Sequence, residues 1–322
     1  MNPLYRIITV VTFALIIVWS IATAFNKLLL RQELHDNQRL SEIFENTTPY
    51  DILFIGSSRT HRSVYPKIID SICGVSSFNA GIEAGAIPDF KLMLDGYLIH
   101  HPPPAILVLT IDLPSFSTGI KIQKYPQYYP FLNNKGVLNN ILASGYGVYL
   151  TKLFPFLSIT DQDDYTKEMI IQVVRGRDAT DLSAGDFEYK GFISNGDAYI
   201  KKPELEKVIK RMNINSESVR YLHAMINECK EKNIKIIFTY APEYDFHLQK
   251  TRTNTDSVFR LIYQIARQNN IPVLRDDSLS ICQSPQYFAN NGHLNKQGAI
   301  VYSAILAEEM KKAISQTKDP SH

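Results

Sequence analysis

The sequence predicts an α/β domain on a mainly parallel sheet, placed behind an N-terminal membrane-entering helix. Three observations carry that expectation. From residue 51 onward, short apolar runs closed by Gly, Asn or Asp alternate with amphipathic helical stretches. The alternation breaks for a long irregular insert and then resumes in the same form. Before it all stands an uncharged run at the extreme N-terminus.

Residues 7 to 25, IITVVTFALIIVWSIATAF, contain no charge, and about 19 residues at about 1.5 Å each span roughly the hydrocarbon thickness of a bilayer. Two readings remain open at this point. Tyr5 and Trp19 suit interfacial anchors of an uncleaved helix, whereas Ala22-Thr23-Ala24 has the small-x-small form of a signal-peptidase site. Residues 1–25 are expected to be the anchor or signal peptide, 26–50 a polar connector, and 51–322 the folded domain, on the extracytoplasmic side. Large domains that follow a first apolar segment are usually exported.

DILFIG (51–56) reads as the first buried strand and SSRTHRSVYPKIIDSI (57–72) as a helix opened by capping serines. VSSFNAG (75–81) follows as a strand, IPDFKLMLDGYLIHH (87–101) as a helix and AILVLTID (105–112) as a third strand. After the insert, helices at 217–233, 256–270 and about 295–315 alternate with strands at 234–242 and 271–276. The insert itself, about 113–202, is rich in aromatics and interrupted by Pro and Gly. It reads either as helices over the sheet edge or as a lid whose Tyr128 and Tyr129 bind a sugar or an amphiphilic chain.

Composition removes several classes. The chain has 322 residues, 34 Lys+Arg against 32 Asp+Glu and a net charge of +2, so no single-sign field points to nucleic acid. Three cysteines are too few for a disulfide scaffold or a paired zinc cluster. No P-loop or dinucleotide fingerprint occurs, and neither a cofactor nor a metal is expected. Asp161, Asp163 and Asp164 cluster without the ligand order of a calcium loop.

In parallel α/β sheets, ligands collect at the carboxyl ends of the strands. Two segments fall there. Gly56-Ser57-Ser58 follows strand one directly, where a serine hydroxyl can be exposed and backbone N–H groups can face an oxyanion. As a lone tripeptide it equally reads as two capping serines. Arg59 and Arg62 oppose the helix dipole in the first turn, which suggests contact with an anionic substrate or with carboxylates. His293 lies in the loop before the last helix with Asn290 three residues earlier, the arrangement of a general base and its orienting partner.

With GSS at 56–58, FNAG at 78–81 and NNGHLNKQGA at 290–299 in this order, the chain resembles the SGNH (GDSL-like) hydrolases and acyltransferases. The likeness is closest to the membrane-anchored branch of D-alanyl transfer and alginate acetylation proteins. The resemblance implies a three-layer, flavodoxin-like sandwich over 51–112 and 234–316 and leaves the insert unexplained. It implies Ser58 as nucleophile, His293 as base, and the Ser58 and Gly81 N–H groups as oxyanion donors. Two departures stand out. Thr110-Ile111-Asp112 replaces a Gly-x-Asn-Asp block, and Asn290 replaces the aspartate of a DxxH pair, so that Asp112, Asp276 or Asp277 become candidate substitutes. The expected function is a tethered O-acyltransferase or esterase acting on an envelope glycan or glycolipid, with a membrane-embedded acyltransferase as a candidate partner. The rival is a non-catalytic binder of glycan or of such a partner.

Overall fold

The structure is a computed structural model that describes residues 3–31, 35–123, 125–153, 187–201 and 210–316. Its core is one five-stranded sheet, with β1 Ile52–Ile55, β2 Ser77–Asn79, β3 Ile106–Thr110, β4 Lys235–Tyr240 and β5 Val273–Arg275. All pairings are parallel and the order is β2-β1-β3-β4-β5. This is the doubly wound order whose direction reverses between β1 and β3. Ile52 pairs with Ser77 on one side and Ile106 on the other, so the carboxyl ends of β1 and β3 emerge side by side.

Period-two side chains feed two cores. Leu53, Ile55, Leu107 and Leu109 face one, covered by α2 (His35–Phe44), α5 (Ile87–His100), α6 (Ser216–Glu231) and α7 (Thr255–Gln268). Ile52, Phe54, Ile106 and Val108 face the other, covered by α4 (Pro66–Cys73) and α8 (Lys296–Gln316). The expected three-layer α/β architecture is therefore present.

Three differences from expectation have physical causes. The helix expected over 57–72 is two helices, α3 (Ser58–Ser63) and α4, because Tyr65 takes an extended conformation before Pro66. The later part of the stretch expected to be a connector packs on the sheet's helices: Leu40, Ile43 and Phe44 of α2 are fully buried. Phe44 presses on Gly96, where a Cβ would come within 2.4 Å of the ring. Tyr128 and Tyr129, named as candidate binding residues of the insert, are buried, with Tyr128 edge-on to Phe44 and Tyr129 edge-on to Tyr125, as the packing alternative has it. Asp161, Asp163 and Asp164 lie outside the described residues.

The N-terminal helix α1 spans Pro3–Arg31. Its segment Pro3–Ile21 has a mean hydropathy of 2.1, is unburied, and is long and apolar enough to cross a bilayer.

Candidate active site

The strand-to-helix corner at β1 is built from small residues for steric reasons. A Cβ on Gly56 would approach Thr60 Oγ1 to 2.0 Å and Thr110 Cβ to 2.9 Å, so only glycine lets α3 start this close to the sheet. Ser57 caps α3, accepting from Arg59 N–H at 3.1 Å, and its hydroxyl donates to Asp112 Oδ2. That leaves Ser58, the first residue of α3, as the serine turned toward the sheet edge. Position alone leaves its N–H without an intrahelical acceptor.

Asp112, from the segment after β3, also takes the Arg59 guanidinium at 2.7 Å. Arg59 is only 4% exposed; it donates to Ala241 O and stacks over the Tyr240 ring at 4.6 Å. Burial opposes its charge, but Asp112, Tyr240 and Glu243 together hold its pKa above the usual value. Of the two readings of Arg59, pairing with a carboxylate is the one found, and its place among the substrate-binding candidates is corrected: it is an internal counter-ion that ties α3 to β3 and β4.

The opposite wall is a hairpin of Phe288–Asn290 with His293–Leu294. Asn290 Oδ1 accepts from Gly292 N–H at 3.0 Å and meets His293 Nδ1 at 2.9 Å. Because a backbone N–H can only donate, the amide oxygen is the atom facing both groups, and Nδ1 carries the ring proton. Nε2 is then a free acceptor, and it lies 2.8 Å from Ser58 Oγ. Asn295 follows as a cap on α8, its Oδ1 accepting from Gly298 N–H at 2.9 Å. Burial lowers the His293 pKa below its ordinary value; Glu83 and Asp112 raise it, and the Arg59 and Arg62 charges lower it.

None of the three candidate aspartates holds the imidazole. Asp112 serves Ser57 and Arg59, Asp276 accepts from Tyr302 O–H at 2.8 Å, and Asp277 pairs with Arg275 at 2.9 Å. Burial and the nearby Glu309 push Asp276 up to about 8.

Gly81 lies against the backbone of His61, where a Cβ would come within 2.4 Å. Its N–H, expected to face an oxyanion, donates to Asn79 Oδ1 at 2.9 Å. Asn79 Nδ2 in turn donates to Thr60 O at 2.9 Å and Val64 O at 2.7 Å, closing the end of α3. The FNAG turn thus clamps the serine helix, a role its asparagine could have signalled.

At the rim, sequence reasoning named Arg62 but missed its partners. Arg62 is partly exposed, and its Nε donates to Glu83 Oε1 at 2.7 Å. Glu83 also faces His61 Nδ1 at 3.2 Å. Burial works to raise the Glu83 pKa, but His61 and Arg62 outweigh it and hold the carboxyl down to about 2. Asn195, from the end of the insert, accepts from Arg62 Nη1 at 2.9 Å. No local pattern marks either Glu83 or Asn195.

No family model and no curated protein matches the chain. Among solved structures it is similar to a protein assigned to the G-D-S-L lipolytic family from Desulfitobacterium hafniense, at 10% identity and TM-score 0.40, over 83% of this chain and 99% of that one. It is also similar to a lipase/acylhydrolase from Enterococcus faecalis, at 15% identity and TM-score 0.39, over 81% and 95% of the two chains. A catalytic mutant of an acetylxylan esterase from Geobacillus stearothermophilus aligns at 13% identity and TM-score 0.40, over 82% and 94%. The chemistry of the site is therefore read from this chain's own atoms.

Proposed function

We propose that the chain is a serine-dependent ester hydrolase or O-acyltransferase of the SGNH type, and that α1 tethers it with the domain on the extracytoplasmic side. The observation that carries the reading is the Ser58 Oγ to His293 Nε2 contact of 2.8 Å, with Asn290 fixing the tautomer from the other side of the ring. In the proposed reaction Ser58 Oγ attacks an acyl carbonyl carbon while its proton passes to His293 Nε2. The carbonyl π pair moves onto oxygen, facing the Ser58 N–H. Collapse expels the alcohol, which takes the proton from Nε2. A second hydroxyl, from a sugar or from water, then gives its proton to Nε2 as its oxygen attacks the acyl-enzyme; collapse breaks the bond to Ser58 Oγ, which takes that proton back from Nε2 as the new ester or acid leaves. A cell-envelope glycan or glycolipid is the proposed acceptor, on the strength of the membrane-spanning length of α1. A membrane-embedded acyl donor protein is the corresponding proposed partner.

A second reading is a non-catalytic binder. Asn290 favours it, since an amide cannot offset imidazolium charge and an aspartate-to-asparagine change in a serine triad costs ~10⁴ in kcat. The engaged Gly81 N–H favours it as well. Turnover of a chromogenic acetyl ester separates the two. The catalytic reading expects measurable hydrolysis by the wild type and none by Ser58→Ala; equal rates in the two proteins would leave the binder.

A further inference from the structure

The described return of the insert, residues 187–201, touches both halves of the site. On the serine side its Phe192 ring stacks on Tyr65 at 4.5 Å, and Lys190 O accepts from Asn79 N–H at 2.9 Å. On the histidine side Gly196 O accepts from Lys296 N–H and Ile200 N–H donates to Phe288 O, both at 2.9 Å. One side chain joins the two sides. Asn195 Oδ1 accepts from Arg62 Nη1 at 2.9 Å, and Asn195 Nδ2 donates to Leu294 O at 2.7 Å.

The placement of those two partners gives the amide its meaning. Arg62 is four residues after Ser58 on α3, one turn along the same helix face. Leu294 is the residue after His293 in the hairpin strand. A planar amide with one hydrogen bond to a side chain of the serine helix and one to the backbone of the hairpin therefore bridges the two elements.

We infer that Asn195 is a positioning residue, which ties the serine helix to the histidine hairpin and fixes the Arg62 guanidinium at the rim of the site. Two consequences follow. Removing the amide frees the hairpin to drift from Ser58, and misplacement of reacting groups by about 1 Å can cost 10²-fold in rate. It also leaves Arg62 held by Glu83 alone. Arg62 is among the charged groups that act most on the imidazole: Arg59 and Arg62 disfavour its protonation, Glu83 and Asp112 favour it. Arg59 and Asp112 are locked to each other in the interior, so Arg62 and its partner Glu83 are the rim charges able to move.

The effect on turnover rests on the catalytic reading, whereas the effect on His293 does not. Both are therefore measured on the full chain: ester kinetics, and the His293 midpoint from NMR titration of the imidazole. The expected result for Asn195→Ala is a kcat about tenfold lower with KM within about twofold, and a His293 midpoint moved upward as Arg62 loosens. Arg62→Gln should move the midpoint upward too, and adding Asn195→Ala to it should move it no further. An unchanged midpoint in folded Asn195→Ala overturns the inference, as does a midpoint change of the same size with and without Arg62. Should Asn195→Ala fail to fold, Arg62→Gln alone decides: a midpoint that stays at the wild-type value sinks it. If the wild type turns over no ester while the midpoints shift as stated, the catalytic reading fails and the positioning role stands.

Discussion

The two walls of the site are held by different physics. At the serine corner the contacts are ionic and internal: Asp112 takes Ser57 and the nearly fully buried Arg59, which reaches on to Ala241 O and the Tyr240 ring. At the histidine hairpin they are amides: Asn290 holds the ring and Asn195 holds the carbonyl of Leu294 beside it. A buried ion pair is costly to break from one side, because the partner left behind has no solvent. A hydrogen bond from a neutral side chain near the surface contributes about 0.5–1.5 kcal/mol and leaves no stranded charge when lost. The proposed nucleophile is thus placed by the stability of the fold, while the proposed base is placed by groups that can change with little effect on folding.

That contrast can be broken at either wall. The largest expected effect is Asp112→Ala, which strands Arg59 inside the protein and should lower the unfolding free energy by about 3–5 kcal/mol in a denaturant titration. Gly56→Ala, at the same corner, forces a Cβ onto Thr60 and should cost about 1–3 kcal/mol by the same measurement. Across the site, Asn290→Ala should leave stability within about 1 kcal/mol yet reduce kcat about ten- to a hundredfold, as a general base without its orienting partner. A melting change as large as that of Asp112→Ala would erase the distinction between the walls.

Smaller effects sharpen it. In the proposed reaction His293 acts as a base only when neutral, so turnover should fall as pH drops through its pKa. Burial holds that pKa below the ordinary value, which places the acid limb of kcat/KM under about pH 6.5. Asn290→Asp puts a carboxylate against Nδ1, favours the imidazolium and should move the limb to higher pH. Above the limb the same charge stabilises the developing imidazolium, and turnover should rise. A limb that stays in place would mean that residue 290 does not contact the ring in solution.

Much of this layout was legible in the sequence. Each sheet strand from DILFIG to IPVLRD falls within its expected run because buried parallel strands are short, apolar and ended by turn residues. Ser58 and His293 were findable for the same reason, since strand ends in such a sheet share one edge. Burial in the insert and the connector was not legible. Tyr128 looks like a contact residue until Phe44 is known to lie beside it, and Phe44 comes from a stretch that reads as polar. The pairing of Arg59 with Asp112 spans residues far apart in the chain, and only the adjacency of β1 and β3 brings them together. Asn195 was invisible, because an irregular insert offers no period from which to place a side chain.

The proposed chemistry turns on activation of Ser58 as a nucleophile by His293. Its most direct test is reaction of the full chain with a serine-directed phosphonate, followed by mass-spectrometric mapping of the adduct. The expected result is a single adduct on Ser58, formed at least about tenfold more slowly in His293→Ala. No adduct, an adduct on another residue, or equal rates in the two proteins would contradict it.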